Sequence, residues 1–289
     1  MKLSRIDGVR CTVGEGPVWD MAEQALYLMD IGQQKILRYR PGEESLSSWT
    51  TPLPPVAMAL REGGAIIAMK NTVYAMNFGT GECLPMAVAE DQPAEATFND
   101  GKVDRQGRFI VGSCTTNFKN PQPIGGIYSL GLDAKLRRLA GDIAFSNSSC
   151  FSPDGSTFYF SDGARHQLYS YDYDRATGQV GERRCLANTL SLGGMPDGAT
   201  VDSDGLIWVA IMEGAKVAAF RPDGQLERVV ELPVSLPASV MFGGPNLEHL
   251  FVTTIDPAYF GRPTQDGAGF LYCVEGLGSK GLPELRFAG

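Results

Sequence analysis

The chain has 289 residues, 43% of them hydrophobic, and its 25 Lys and Arg against 33 Asp and Glu leave a formal charge of −8. That length supports a sizeable core, and an acidic balance with no basic run argues against nucleic acid or an acidic membrane surface as partner. No stretch reaches the ~20 apolar residues of a membrane span, and MKLSRIDGVRCTVGEGP at the start lacks an apolar core of signal-peptide length. A cytoplasmic protein is expected.

From the start of the chain onward, short apolar runs dominate and long amphipathic helical patterns are absent. QALYLMDI, KILRYRP, GAIIAMK and TVYAMNF come first, then RFIVGS, GIYSLG, TFYFSD and QLYSYDYD, then LIWVAIM, KVAAFRPDG, HLFVTTI and GFLYCVEG. Gly, Pro, Asp and Asn separate them, which is the punctuation of strands joined by tight turns. The runs share a phase. NDGKVDRQGRFIVGS from Asn99, NSSCFSPDGSTFYFSD from Asn147 and PDGATVDSDGLIWVA from Pro196 are copies of one unit, as is EGPVWDMAEQALYLMDI from Glu15. Weaker copies begin near Val56 and Ser239. A period of roughly 40–50 residues repeated six times predicts an all-β, six-bladed β-propeller spanning residues 1–289 as one domain.

The innermost strand of each blade lines the central channel of a propeller. Polar residues that open those strands therefore meet in space although they lie far apart in sequence. Here they are Glu15, Asn99, Asn147 and Asp197. Two carboxylates and two amides gathered in a channel need a counter-charge, because an unpaired buried carboxylate is strongly disfavoured. One divalent cation supplies it. All-oxygen donors favour calcium, magnesium or manganese, and zinc or ferrous iron also accept carboxylate oxygen. Asp100 is expected to face away from Asn99, since strand neighbours alternate. The tripeptides at Pro153–Gly155 and Pro222–Gly224 read as hairpin turns.

Only two histidines are present, His166 and His249, and both read as exposed loop residues. Histidine-based triads and most catalytic zinc sites are thereby disfavoured. The six cysteines are dispersed without a C-x-x-C pair, which suits free thiols in a reducing compartment.

The set GEGPVW, FNDGKVDRQGRFIVG, SNSSCFSPDGSTFYFSD and PDGATVDSDGLIWVA, with the later FGGPNLEHLFVTT and GLGSKGLPELRFAG, resembles the gluconolactonase and regucalcin family, also called the SMP-30 family. The resemblance covers the whole chain in order. It implies a six-bladed propeller with a divalent metal in its channel and hydrolysis of sugar-acid lactones, a carboxylic-ester hydrolase activity. It also implies Glu15, Asn147 and Asp197 as metal ligands, Asp197 as general base, and Asn99 as a contact to substrate or water. Many members carry Arg two residues before that asparagine to contact substrate; Thr97 stands there, and it cannot donate bidentate hydrogen bonds. Ser148 follows Asn147 where the family often has Gly, a change that bears on packing beside the metal. Asp197 is asked to serve as ligand and base at once, and those roles compete.

The expected partner is a small sugar lactone, with no obligate protein partner indicated. Two other functions fit the same residues: an esterase or phosphotriesterase on this scaffold, and a calcium-binding regulatory protein without turnover. Loops at Thr115 to Pro123 and Asp256 to Asp266 are expected to shape the pocket.

Overall fold

The computed structural model describes residues 1–289 and consists of 24 strands in six four-stranded antiparallel sheets. Blade 1 holds β2 (Gly14–Asp20), β3 (Ala25–Asp30), β4 (Lys35–Arg40) and β5 (Ser45–Thr50). Blade 2 holds β6 (Ala57–Arg61), β7 (Gly64–Met69), β8 (Thr72–Asn77) and β9 (Cys83–Val88). Blade 3 holds β10 (Ala96–Val103), β11 (Phe109–Thr115), β12 (Gly125–Leu130) and β13 (Leu136–Ile143). Blade 4 holds β14 (Ser146–Phe151), β15 (Thr157–Asp162), β16 (Gln167–Tyr173) and β17 (Val180–Asn188). Blade 5 holds β18 (Met195–Val201), β19 (Ile207–Met212), β20 (Lys216–Phe220) and β21 (Leu226–Glu231). Blade 6 holds β22 (Pro237–Gly243), β23 (His249–Thr254), β24 (Phe270–Glu275) and, from the other end of the chain, β1 (Lys2–Arg10).

Burial explains why some strands are loud in the sequence and others quiet. The second strand of a blade is covered on both faces by neighbouring blades, so β7, β11 and β19 are buried almost without interruption and read as continuous apolar runs. The outermost strand has one face in solvent. In β5 the exposure alternates residue by residue along SLSSWT. Aromatic rings fill the gaps between blades. Trp19 stacks on Phe251 at 5.6 Å between blades 1 and 6, and Trp208 meets Phe242 edge-on at 5.7 Å between blades 5 and 6.

A repeated turn chemistry sets each hairpin after the inner strand. Asp20, Asp104 and Asp202 each accept two backbone N–H groups of the turn that follows: from Ala22 and Glu23, from Gln106 and Arg108, and from Asp204 and Leu206. Each lies five residues beyond Glu15, Asn99 or Asp197. At the opposite end of the blades, Asp30 and Asp162 accept from Thr12 and Val13 and from Ala144 and Phe145, which fixes the entry to two inner strands.

The ring is closed at its seam by β1, which pairs with β24 from Lys2↔Glu275 to Ile6↔Leu271. The C-terminal tail then crosses the end of the channel where the inner strands finish. Its backbone bonds Ser203 of blade 5, Leu247 of blade 6, Leu60 of blade 2 and Gly107 of blade 3 in succession, with Phe287 buried. Lys102 and Glu284 pair at 3.4 Å beneath the channel. One mouth is thus obstructed, and the other, where the inner strands begin, stays open. No helix is long and apolar enough to cross a membrane.

Deleting residues 2–10 should leave the β24 edge unpaired and the ring unsealed. We expect a lower unfolding midpoint and concentration-dependent aggregation, read by thermal melts with light scattering at two protein concentrations. A truncated chain that melts like the parent would show that the seam does not need β1.

Candidate active site

The residues that begin the inner strands meet in one cavity of about 350 Å³ at the open mouth. Its floor holds Glu15 from blade 1, Asn99 and Asp100 from blade 3, Asn147 from blade 4 and Asp197 from blade 5. Thr97 stands in the wall, with its hydroxyl donating to the Lys70 carbonyl at 3.4 Å. Neither histidine reaches the cavity, and both are half-buried, not exposed loop residues. His166 sits in a left-handed turn with Nδ1 3.1 Å from the Gly194 carbonyl, and His249 opens β23 near Glu275.

A backbone irregularity aims the floor residues inward. The inner strand loses register with its neighbour between Glu15 and Val18, Asn99 and Gly101, Asn147 and Cys150, and Pro196 and Ala199. Blade 2 keeps unbroken register from Ala57↔Ala68 to Arg61↔Gly64, and it gives the cavity only the apolar Val56. Three floor residues are followed by a residue in the left-handed region: Gly16 (φ 49°), Asp100 (φ 51°) and Ser148 (φ 59°). Such a bulge bends the strand and re-aims its side chains. This is why Asp100 joins Asn99 in the lining instead of facing away. Alternation across the pleat fails wherever the pleat itself is broken. The signal present in the sequence was a polar residue followed by Gly, at Glu15-Gly16, Asp100-Gly101 and Asp197-Gly198.

Ser148 holds a conformation that disfavours a Cβ. Its buried hydroxyl lies 2.8 Å from Ser161 Oγ and also donates to the Asp197 carbonyl, so it ties blade 4 to the floor of blade 5. At Gly198 the constraint is proximity, because an added Cβ would collide with Ser239 of blade 6.

The floor is crowded with negative charge. Burial, then repulsion from Asp100, pushes the Glu15 carboxyl up to about 8 against one hydrogen bond from Gly16 N–H. Burial, then Glu15 and Asp100, raises Asp197 well above the carboxylate range. Burial also raises Asp100, although both its oxygens accept backbone N–H groups, from Gly101 and Ser149, each at 2.8 Å. Asn99 Nδ2 donates to Asn147 Oδ1 at 2.7 Å and to the Ser146 carbonyl at 2.8 Å. Asn147 Nδ2 is buried and unpartnered.

Above the floor the walls change character. Twenty residues line the cavity, thirteen of them hydrophobic, and none is Lys, Arg or His. Phe118 and Pro121 come from the β11–β12 loop, and Tyr259 and Phe260 from the β23–β24 loop. Those are the two loops expected to shape the pocket. They belong to blades 3 and 6, which face each other across the ring. Phe145, Met195, Met212 and Ile31 complete the walls, and no sequence pattern pointed to them.

The SMP-30/gluconolactonase/LRE-like region, taken as a family pattern, matches residues 13–256. The chain belongs to this family. It is 32% identical to regucalcin of Xenopus laevis over 287 residues, covering 96% of this chain and 95% of that protein. Among solved structures, a luciferin-regenerating enzyme superposes with a TM-score of 0.89 at 27% identity, covering 99% of this chain and 98% of that one. A calcium-binding protein, regucalcin, from Agrobacterium tumefaciens gives a TM-score of 0.87 at 26% identity, covering 98% and 96%. A lactonase-type activity is what membership of this family supports.

The donor set fits a divalent cation. Glu15 and Asp197 are disfavoured as anions by burial and by neighbouring carboxylates, only Asp100 feels an ammonium, that of Lys102, and no basic side chain lines the cavity. No three His, Cys, Asp or Glu side chains form a ready cage anywhere in the chain. An ion at the floor would therefore draw on the Asn147 amide beside Glu15 and Asp197, and such a sparse set leaves positions for water and substrate.

Two outcomes follow from this geometry. Ser148→Ala should cost about 1–3 kcal/mol, because it removes buried hydrogen bonds and keeps the strained Cβ; urea unfolding measures it, and an unchanged midpoint would show that the hydroxyl carries no load. The second concerns pH in metal-free protein. Glu15 binds its proton more tightly folded, at about 8, than at its ordinary 4.5. Its contribution is therefore fully present below about 4.5 and lost as pH rises towards 8. Chelator-treated protein should show this falling limb in chemical unfolding between those values, and Glu15→Gln should flatten it.

Proposed function

We propose that this protein is a metal-dependent lactonase that opens a lactone ring to the hydroxy acid, with Glu15, Asn147 and Asp197 holding one divalent ion. The convergence of mutually repelling carboxylates and an amide at the floor of an open, substrate-sized cavity carries this reading. The volume lies at the lower end of the roughly 300–1,000 Å³ usual for small-molecule sites. The resemblance adds a sugar-acid lactone, opened to its aldonic acid, as the reference substrate. The dispersed free cysteines accord with a cytoplasmic setting.

When bound, a divalent ion supplies Lewis-acid polarisation of the lactone carbonyl. The remaining chemistry falls to the chain. Asp197 accepts a proton from the attacking water and returns it to the ring oxygen as the acyl C–O bond breaks. It is freer for this than Asp100, whose two oxygens are both committed to backbone N–H groups. Asn99 turns its nitrogen to Asn147 and Ser146, which leaves its Oδ1 to orient water or substrate. Glu15 has one oxygen on the Gly16 N–H, which leaves the other for the ion.

A second reading has its own support: one solved relative is called a calcium-binding protein, and ion binding without turnover would use the same floor. Turnover separates the two. Chelated protein reloaded with calcium, zinc, manganese or magnesium should regain lactone hydrolysis with at least one ion, and Asp197→Ala should lower kcat by about 10²–10⁴-fold. Stoichiometric ion binding with no hydrolysis above the spontaneous rate would favour the binding protein. An unchanged rate in Asp197→Ala with the ion retained would remove Asp197 from the chemistry.

A further inference from the structure

The floor is polar and the walls are not. The chain has only three exposed aromatic side chains, Phe118 at 63%, Tyr259 at 51% and Phe260 at 51%, and all three line this one mouth. Exposed large apolar residues elsewhere are scattered aliphatic ones, as on any protein surface. The aromatics enter from blades 3 and 6, on opposite sides of the channel. Phe118 is steadied edge-on by Phe145 at 5.4 Å, and Tyr259 by Phe260 at 5.3 Å. A concentration of exposed aromatic surface at a concave site marks a place where a ligand covers it.

Hydrogen-bonding capacity points the same way. Each hydroxyl of a polyol ring brings a donor and acceptors that need partners once water is displaced. The walls offer few. Thr97 donates its hydroxyl to the Lys70 carbonyl. Apart from Thr97 and the Tyr259 hydroxyl, the polar side chains lie on the floor, where Asp100 and the Asn99 nitrogen already have partners.

Building on the lactonase reading, we infer that the substrate is a lactone carrying an alkyl or aryl substituent. Its carbonyl and ring oxygen rest on the Glu15–Asn147–Asp197 floor, and its apolar part lies between Phe118 and the Tyr259–Phe260 pair. Hydroxyls left against those walls would lose water without replacement, so a free sugar lactone is the poorer substrate.

The test uses the full-length, metal-loaded protein and three lactones of one ring size: glucono-1,5-lactone, δ-decalactone and dihydrocoumarin. We expect kcat/KM for the alkyl and aryl lactones to exceed that for the polyol by about tenfold or more. Phe118→Ser and Phe260→Ser should lower kcat/KM for δ-decalactone about tenfold, mainly through KM. Because both side chains are exposed, the thermal midpoint should not move, which separates lost recognition from lost folding. Faster turnover of gluconolactone, or aromatic variants that leave the δ-decalactone KM unaltered, would overturn the inference and leave the lactonase reading standing. Absence of hydrolysis for all three with every ion would overturn both.

Discussion

Broken register in the inner strands is the constraint on which the site depends. A regular strand sends alternate side chains to opposite faces, and in a propeller blade those faces pack against neighbouring blades. Side chains from such a strand would be lost between sheets. The irregularities after Glu15, Asn99, Asn147 and Pro196 turn the strand at the moment it reaches the channel. Blade 2, whose inner strand pairs without a break, contributes Val56 and no polar group, and blade 6, whose shift between Pro237 and Ser239 carries no carboxylate or amide, adds nothing to the floor. The left-handed residues Gly16, Asp100 and Ser148 carry the cost of those turns, and the surrounding sheets hold them in place.

Electrostatics follows from that geometry. Burial raises the proton affinity of all three floor carboxylates, and repulsion adds to it at Glu15, from Asp100, and at Asp197, from Glu15 and Asp100. Protons relieve this crowding in metal-free protein, and a divalent ion would relieve it with charge. The same crowding makes the floor a poor structural element and a good functional one. It also explains why Ser148, rather than glycine, is tolerable beside Asn147. The strain at its backbone is offset by a hydroxyl that links two floor-bearing strands.

The two ends of the channel are unlike because different parts of the chain finish them. The tail from Glu275 onward lies across the inner-strand ends and bonds four blades in turn. The hairpins at the other end differ in length, and the two that grew longest, on blades 3 and 6, carry aromatic residues to the rim. The ring thus presents a polar floor and a largely apolar wall. Under the lactonase proposal, the chemistry falls to the floor and the choice of substrate to the rim.

Much of this was legible in the order of residues. Strands covered on both faces must be apolar, so QALYLMDI, RFIVGS and LIWVAIM announce the second strands, and turn residues between them fix the period. The polar openings at Glu15, Asn99, Asn147 and Asp197 recur in that phase, and a repeat places equivalent positions around one axis. The outermost strands were quiet because half their surface meets water, and β1 joined the last blade only because the ring must close on itself. Asp100 could not be placed from alternation, since one left-handed residue reverses the face it would take. Phe145, Met195, Met212 and Ile31 come together from three blades with no shared motif. Local pattern decides what each strand is, because burial acts residue by residue; which side chains meet at the rim is settled only when the sheets close, because that depends on distances no segment contains.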